Sequence, residues 1–213
     1  MKLAVFDLDG TLIRGNSSFN FCFYLIKKGV LPRCAVGYTF WNYLSFHCGK
    51  RSLLDLHKKI FDALLKGLKI SCLEEHMQGF LEQFLLKSCY SPAVESLRAA
   101  QHLGFHTLIS SNAPSFLVKA VAHYFGVDSW HATEYAVDED KKLSHIVSVM
   151  QGKDKAVNAC NLACILGINV ADIIAYTDSY LDLPLLKIAG ESIGVNPDRA
   201  LRKACKQFNW KII

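Results

Sequence analysis

Residues 4–12, AVFDLDGTL, carry an apolar run of strand length straight into two aspartates one residue apart, then into glycine and threonine. Side chains alternate along a strand, so Asp7 and Asp9 project to one side, at the carboxyl end where an open α/β sheet gathers its ligands. Two like charges at that spacing repel. The pair persists only where a cation lies between the carboxylates or one of them keeps its proton, and both conditions belong to active sites rather than to cores. Oxygen ligands without a neighbouring His or Cys point to Mg²⁺, which takes one or two carboxylates together with water and substrate phosphate. Gly10 allows a tight backbone approach, and the Thr11 hydroxyl can hydrogen-bond within the turn.

Runs of strand length return at FHTLISS (105–111), DIIAYTDS (172–179) and ESIGVN (191–196). They alternate with the helical patterns PAVESLRAAQHLG, APSFLVKAVAHYFG and GKDKAVNACNLACILG, each closed by glycine. Strand, helix, strand in that rhythm means a parallel sheet. From residue 14 to about 88 only helical periodicity is found, as in SFNFCFYLIKKG, SLLDLHKKIFDALLKG and LEEHMQGFLEQFLL. The chain is therefore expected to divide into a core, residues 1–13 and 89–213, and a helical cap, 14–88, inserted after the first strand. Residues 130–150 alternate apolar and polar around an acidic turn and predict an extended excursion or hairpin.

A second acidic strand end matches the first: DIIAYTDSYLDLPLL brings Asp178 to a strand terminus and Asp182 one helical turn further on. Between the two lie LISSN, a strand ending in Ser110 and Ser111, and GKDKAV, which offers Lys153 and Lys155 as a helix begins. Hydroxyls and amides at a strand-to-helix turn hold phosphoryl oxygens, and a lysine neutralises the charge that builds on them. Acid, hydroxyl, lysine and acid in this order make a phosphoryl-transfer set.

The stretches DLDGT, ISSN, GKDK and DSYLD resemble, in order and spacing, the four motifs of the haloacid dehalogenase superfamily. The closing stretch AYTDSYLDLPLLKIAGESIGVNPDRALRKACKQFNW is similar to its phosphoserine-phosphatase-like branch. The resemblance implies an α/β fold, a three-layer Rossmann-like parallel sheet core with an inserted α-helical cap. It implies Mg²⁺-dependent hydrolysis of a small phosphomonoester, with Asp7 as the nucleophile that forms an aspartyl-phosphate and Asp9 as acid and base. Asp7, the backbone carbonyl of Asp9, and Asp178 would hold the metal, with Asp182 supporting them from behind. Ser110 would bind the phosphoryl group, with Ser111 as the alternative one residue on. Thr11 joins the substrate-binding set, and Lys155 fits the motif lysine better than Lys153. Phosphoserine phosphatases carry a glutamate seven residues after the second motif aspartate; this chain has Asn16 there, which argues against phosphoserine. A phosphorylated lipid head group or another small phosphomonoester stays open. A dehalogenase typically lacks the second aspartate, so Asp9 argues against one. A phosphotransferase would share every residue named, and a membrane- or phospho-ligand-binding module without turnover is the reading from another class.

At 213 residues, with 51% hydrophobic and 20% charged positions, the chain has the make-up of an ordered globular protein with a sizeable core. Its start lacks the long uncharged stretch of a secretory signal and its eight cysteines are scattered, which together predict a cytoplasmic protein with reduced thiols. Cys160 and Cys164, at helical spacing, find no second pair to complete a metal site and read as core residues. From Arg14 to Leu54 there are six basic residues (Arg14, Lys27, Lys28, Arg33, Lys50 and Arg51) and no Asp or Glu. Phe19, Phe21, Phe23, Tyr24, Trp41 and Tyr43 accompany them. Such a segment attracts anions. It is either a helical insert whose aromatics are core, or an amphipathic surface for an anionic membrane or a phosphorylated ligand. No run reaches the roughly 20 apolar residues of a membrane span, and no motif for reading nucleic acid accompanies the charge.

Overall fold

A computed structural model describes residues 1–47, 49 and 52–213; Cys48, Lys50 and Arg51 of the basic segment lie outside the described residues. The first strand, β1 (Leu3–Phe6), is buried along its whole length, as an apolar run flanked by helices on both faces requires. It is parallel to β2 (His106–Pro114) on one side and to β5 (Ile173–Thr177) on the other. Beyond β2 runs β3 (Ser129–Val137), and beyond β5 run β6 (Glu191–Gly194) and β7 (Lys211–Ile212), all parallel. β4 (Leu143–Ser148) closes one edge antiparallel to β3, the hairpin expected of residues 130–150. The seven strands thus take the order β4-β3-β2-β1-β5-β6-β7. The two-residue β7 has no apolar run to announce it, and periodicity misses it.

Alternation along the strands sorts the core into two faces. Leu3, Val5, Ile173 and Ala175 pack with Ala159 of α7 (Gly152–Ile165), Leu185 of α8 (Leu183–Ile188) and Leu201 of α9 (Arg199–Phe208). Ala4, Phe6, Ile109 and Tyr176 face the other way, toward Leu97 of α5 (Ser91–His102) and Val121 of α6 (Ser115–Phe125). Helices on both faces of a mostly parallel sheet give the three-layer α/β core. One expectation fails here: Cys164 is exposed and Cys160 only half-buried. The buried stripe of α7 is made instead by Ala156, Ala159 and Ala163, and a helix buries only one stripe.

Between β1 and α5 come α1 (Ser17–Lys27), α2 (Ala35–His47), α3 (Leu53–Ile60) with a π turn at Phe61–Leu65, and α4 (Ile70–Ser88). Phe21, Leu25, Phe61, Leu73 and Phe80 form their common core, which continues onto Leu117 of α6 and Leu143 of β4. Of the α1 aromatics, Phe21 and Tyr24 are therefore core, Phe19 is half-buried and Phe23 is exposed. Helix α2 buries Thr39, Asn42 and Ser45 and turns Tyr38, Phe40, Trp41 and Leu44 outward, with Trp41 64% exposed. Two of its inward polar groups bond on their own helix, Asn42 Nδ2 donating to the Tyr38 carbonyl and Ser45 Oγ to the Trp41 carbonyl, each at 2.8 Å, while the Thr39 hydroxyl lies 3.6 Å from Cys22 Sγ of α1.

Candidate active site

The Asp7 N–H donates to the Tyr176 carbonyl at 2.9 Å, so the β1–β5 ladder runs one residue past the strand and fixes Asp7 at its carboxyl end. The chain then folds back, with the N–H groups of Thr11 and Ile13 both reaching the Leu8 carbonyl. Gly10 in this turn has φ +83°, and a Cβ there would overlap the Asp178 carboxylate. Glycine is demanded twice, by the left-handed backbone and by the approach of Asp178. Gly10→Ala is therefore expected to displace Asp178 and lower turnover by about 10²-fold; steady-state phosphate release by the purified variant measures it.

The Thr11 hydroxyl is fully buried and donates to Asp178 Oδ1 at 3.2 Å. The structure thus sets Thr11 against Asp178, holding that carboxylate rather than facing the open site. Asp178 sits just past β5, and the loop it begins is braced by Asp198, whose N–H donates to the Asp178 carbonyl at 2.8 Å. Asp9 is held from the other side: the N–H of Ser17, at the start of α1, donates to its Oδ1 at 2.7 Å. Its Oδ2 is buried and without a hydrogen-bond partner among the described residues.

Lys155 meets Asp7 in the centre. Its Nζ donates to Asp7 Oδ1 at 2.9 Å and to Asp182 Oδ2 at 2.7 Å, and the Thr177 hydroxyl donates to the same Asp182 oxygen at 2.7 Å. Lys155 is 3% exposed, whereas Lys153 lies on the surface. The separation is a helix-start effect. Asp154 accepts the Gln151 N–H at 3.0 Å, which begins α7 and rolls the second lysine inward and the first outward. Asp182 therefore grips the lysine. Ser110 follows Ile109, which pairs with Phe6, so the register sets it beside Asp7. Its buried hydroxyl has no partner among the described residues, while Ser111 Oγ accepts the Ala113 N–H at 3.2 Å within its own turn.

Among the described residues, the carboxylates of Asp7, Asp9, Asp178 and Asp182 share this buried space with the Lys155 ammonium. Burial pushes the Asp7 carboxyl up to about 8, against the pull of Lys155 and with the push of Asp182 and Asp178. Burial likewise raises Asp9 to about 6, partly offset by hydrogen bonds from Ser17, and raises Asp178 to about 6, partly offset by Thr11. Burial alone would lower Lys155, but the charges of Asp182 and Asp7 outweigh it and hold the ammonium above the usual lysine range. Among the described residues no three His, Cys, Asp or Glu side chains form a ready metal cage. The donor set still suits Mg²⁺, which needs only one or two carboxylates and fills its other positions with carbonyl and water. Four carboxylates against one ammonium leave an excess of negative charge that a cation would offset, and the buried Asp9 Oδ2, without a partner among the described residues, stays available for proton transfer.

The strand-end pattern does not reveal the roles of Ser17, Thr177 and Asp198, which act through backbone N–H groups and a buried hydroxyl. Only the helix-capping signals Asn16-Ser17 and Asp198 point to two of them in advance.

A family model described as haloacid dehalogenase-like hydrolase matches residues 4–187. The histidinol-phosphatase of Neisseria meningitidis serogroup C is 27% identical over 221 residues, spanning 100% of this chain and 98% of that protein. A Bordetella pertussis protein of unknown function superposes with a TM-score of 0.88 at 22% identity, covering 99% of this chain and 97% of that one. A substrate-bound phosphoserine phosphatase superposes with a TM-score of 0.71 at 22% identity, covering 95% and 89%.

Proposed function

This chain belongs to the haloacid dehalogenase-like hydrolase family, and we propose that it is a Mg²⁺-dependent phosphatase that cleaves a small phosphomonoester through an aspartyl-phosphate on Asp7. The observation that carries the reading is the buried Asp7–Lys155–Asp182 chain at the carboxyl edge of β1, with Asp9 and Asp178 beside it. Lys155 occupies Asp7 Oδ1 and leaves Oδ2 for attack on phosphorus. Ser110 Oγ and the Lys155 ammonium serve the phosphoryl oxygens. Asp9, anchored through Oδ1, uses its free Oδ2 to protonate the leaving alkoxide and then to take a proton from the water that cleaves the intermediate. A carboxyl near pH 6 is matched to both tasks at neutral pH. Bound at Asp7, Asp178 and the Asp9 carbonyl, Mg²⁺ would neutralise the charge gathered there.

The helices of residues 14–88 act as the cap that covers the substrate. The test of this reading is phosphate release from a panel of phosphomonoesters with Mg²⁺ and with EDTA. EDTA-sensitive release from at least one is expected; none would overturn it. Asp9→Asn is expected to slow both formation and breakdown of the intermediate, by about 10²–10⁴-fold, as rapid-quench kinetics would resolve.

A second property is favoured by α2, whose outer face is aromatic while its inner face is polar. α2 itself carries no lysine or arginine, but Lys27, Lys28 and Arg33 precede it in a segment, 14–54, that has no acidic side chain, and basic residues beside an exposed aromatic helix suit an anionic membrane surface. Among the described residues no helix is long and apolar enough to cross a membrane. The wild type is expected to sediment with phosphatidylglycerol vesicles and not with phosphatidylcholine vesicles. A variant carrying Trp41→Ser, Lys27→Gln, Lys28→Gln and Arg33→Gln is expected to stay in solution; equal sedimentation of both proteins would contradict the membrane contact.

A further inference from the structure

The site opens into a cavity of about 470 Å³ between the helices after β1 and the core, within the roughly 300–1,000 Å³ that enclose most of a drug-sized ligand. Asp7, Asp9 and Asp178 lie in one part of its wall, and groups such as Phe21, Leu25, Leu56, Ile60, Leu65 and Phe116 make up much of the rest. Among the described residues that line it there is no lysine, arginine or glutamate, and those three aspartates are the only acids. The imidazole of His57 has Nδ1 at 3.1 Å from the Tyr135 hydroxyl, and burial holds its pKa near 4, so it is neutral at pH 7. Asn16 is in the wall too, with Oδ1 capping α1 through the Phe19 N–H at 2.8 Å.

Among the described lining residues, a phosphorylated amino acid or amino alcohol would find no cationic side chain for a carboxylate, and for an ammonium only the three aspartates at the phosphate end, which the phosphoryl site already engages; burying a charge along the rest of the wall is costly. A hydrocarbon chain would gain from every methylene buried. We infer that the leaving group is an uncharged, hydrocarbon-bearing alcohol, so that the substrates are single-chain amphiphilic phosphomonoesters, phosphate at Asp7 and chain in this cavity. The inference rests on the phosphatase reading above. The Asp7–phosphorus bond forms as the bond from phosphorus to the alcohol oxygen breaks, and the Asp9 proton goes to that oxygen. Water then replaces Asp7 on phosphorus and returns a proton to Asp9, so one water is consumed and inorganic phosphate and the alcohol are released.

The test uses ethyl, butyl, hexyl and octyl phosphate, each below its micelle concentration, beside phosphoserine, with the corresponding alkylphosphonates as ligands in calorimetry with Mg²⁺. Full burial is worth about fourfold per methylene. Over the six methylenes between ethyl and octyl phosphate the expected kcat/KM therefore rises by about 10³-fold, reaching about 4 × 10³-fold if all six are fully buried; phosphoserine ranks with the poorest, and octylphosphonate binds more tightly than ethylphosphonate. Leu56→Trp and Ile60→Trp, two independent fillings of the cavity, are each expected to cut the octyl-to-ethyl ratio by about tenfold. Turnover indifferent to chain length, a preference for phosphoserine, or an unchanged ratio in both folded variants would overturn the cavity assignment and leave hydrolysis standing. Chain-dependent phosphonate binding with no turnover of any phosphate would overturn hydrolysis and uphold the cavity.

Discussion

Asp7→Asn is expected to lower phosphate release by about 10⁴-fold or more, the scale on which removal of a nucleophile acts, while the protein stays folded. The substituted amide keeps the shape of the side chain and an oxygen to accept from Lys155, and Asp182 still balances the ammonium at 2.7 Å. An amide oxygen is too weak a nucleophile to displace an alkoxide from phosphorus. The carboxylate itself is a burden on the fold, because burial and its acidic neighbours disfavour its charge. The melting temperature of the metal-free variant should therefore equal or exceed that of the wild type. Residual turnover within tenfold of wild type would remove Asp7 from the chemistry.

Lys155→Met is expected to be damaging in a different way. The wild-type ammonium is shared between two buried carboxylates, Asp7 at 2.9 Å and Asp182 at 2.7 Å. Methionine matches its length but leaves both without a cation, and breaking a buried pair in this way costs about 3–5 kcal/mol. Turnover should also fall, by about 10²–10³-fold, since a donor to the phosphoryl oxygens is lost. Lys155→Met combined with Asp182→Asn should recover much of the stability but not the activity, because only one of the stranded charges has been removed and the catalytic cation is still absent. Urea denaturation of the single and double variants, read beside their phosphate release, separates the two effects. Equal stability of Lys155→Met and wild type would mean that the ion pairs are not formed in solution.

The core was legible because its signals are local. An apolar run stopping at Asp7, and another at Asp178, announces parallel strands and the edge where ligands collect. The order of acid, hydroxyl, lysine and acid then names the chemistry. Choices between neighbours rested on the motif resemblance alone, because their physical cause depends on how a turn closes. The preference for Ser110 over Ser111 gains a reason once Ser111 is seen to accept from Ala113. The preference for Lys155 over Lys153 gains one once Asp154 is seen to start the helix. The helices after β1 were harder still. Periodicity reports a stripe but not what covers it, and α2, with Thr39 and Asn42 inward and Trp41 outward, runs against the usual rule. Asn16 shows a further limit: its identity argues against an amino-acid substrate and its type suits a helix cap, but that its Oδ1 accepts from the Phe19 N–H while the residue stands in the cavity wall is visible only in the fold.

Covalent phosphate on one named side chain is the most direct test. Wild-type protein mixed with Mg²⁺ and a turned-over phosphomonoester, quenched in acid within the first turnover and digested, should yield the peptide bearing residues 3–13 with one added phosphoryl group, localised by fragmentation to Asp7. The same peptide from Asp7→Asn should be unmodified. A phosphoryl group found on another residue, or burst kinetics with no modified peptide at any quench time, would contradict nucleophilic attack by Asp7.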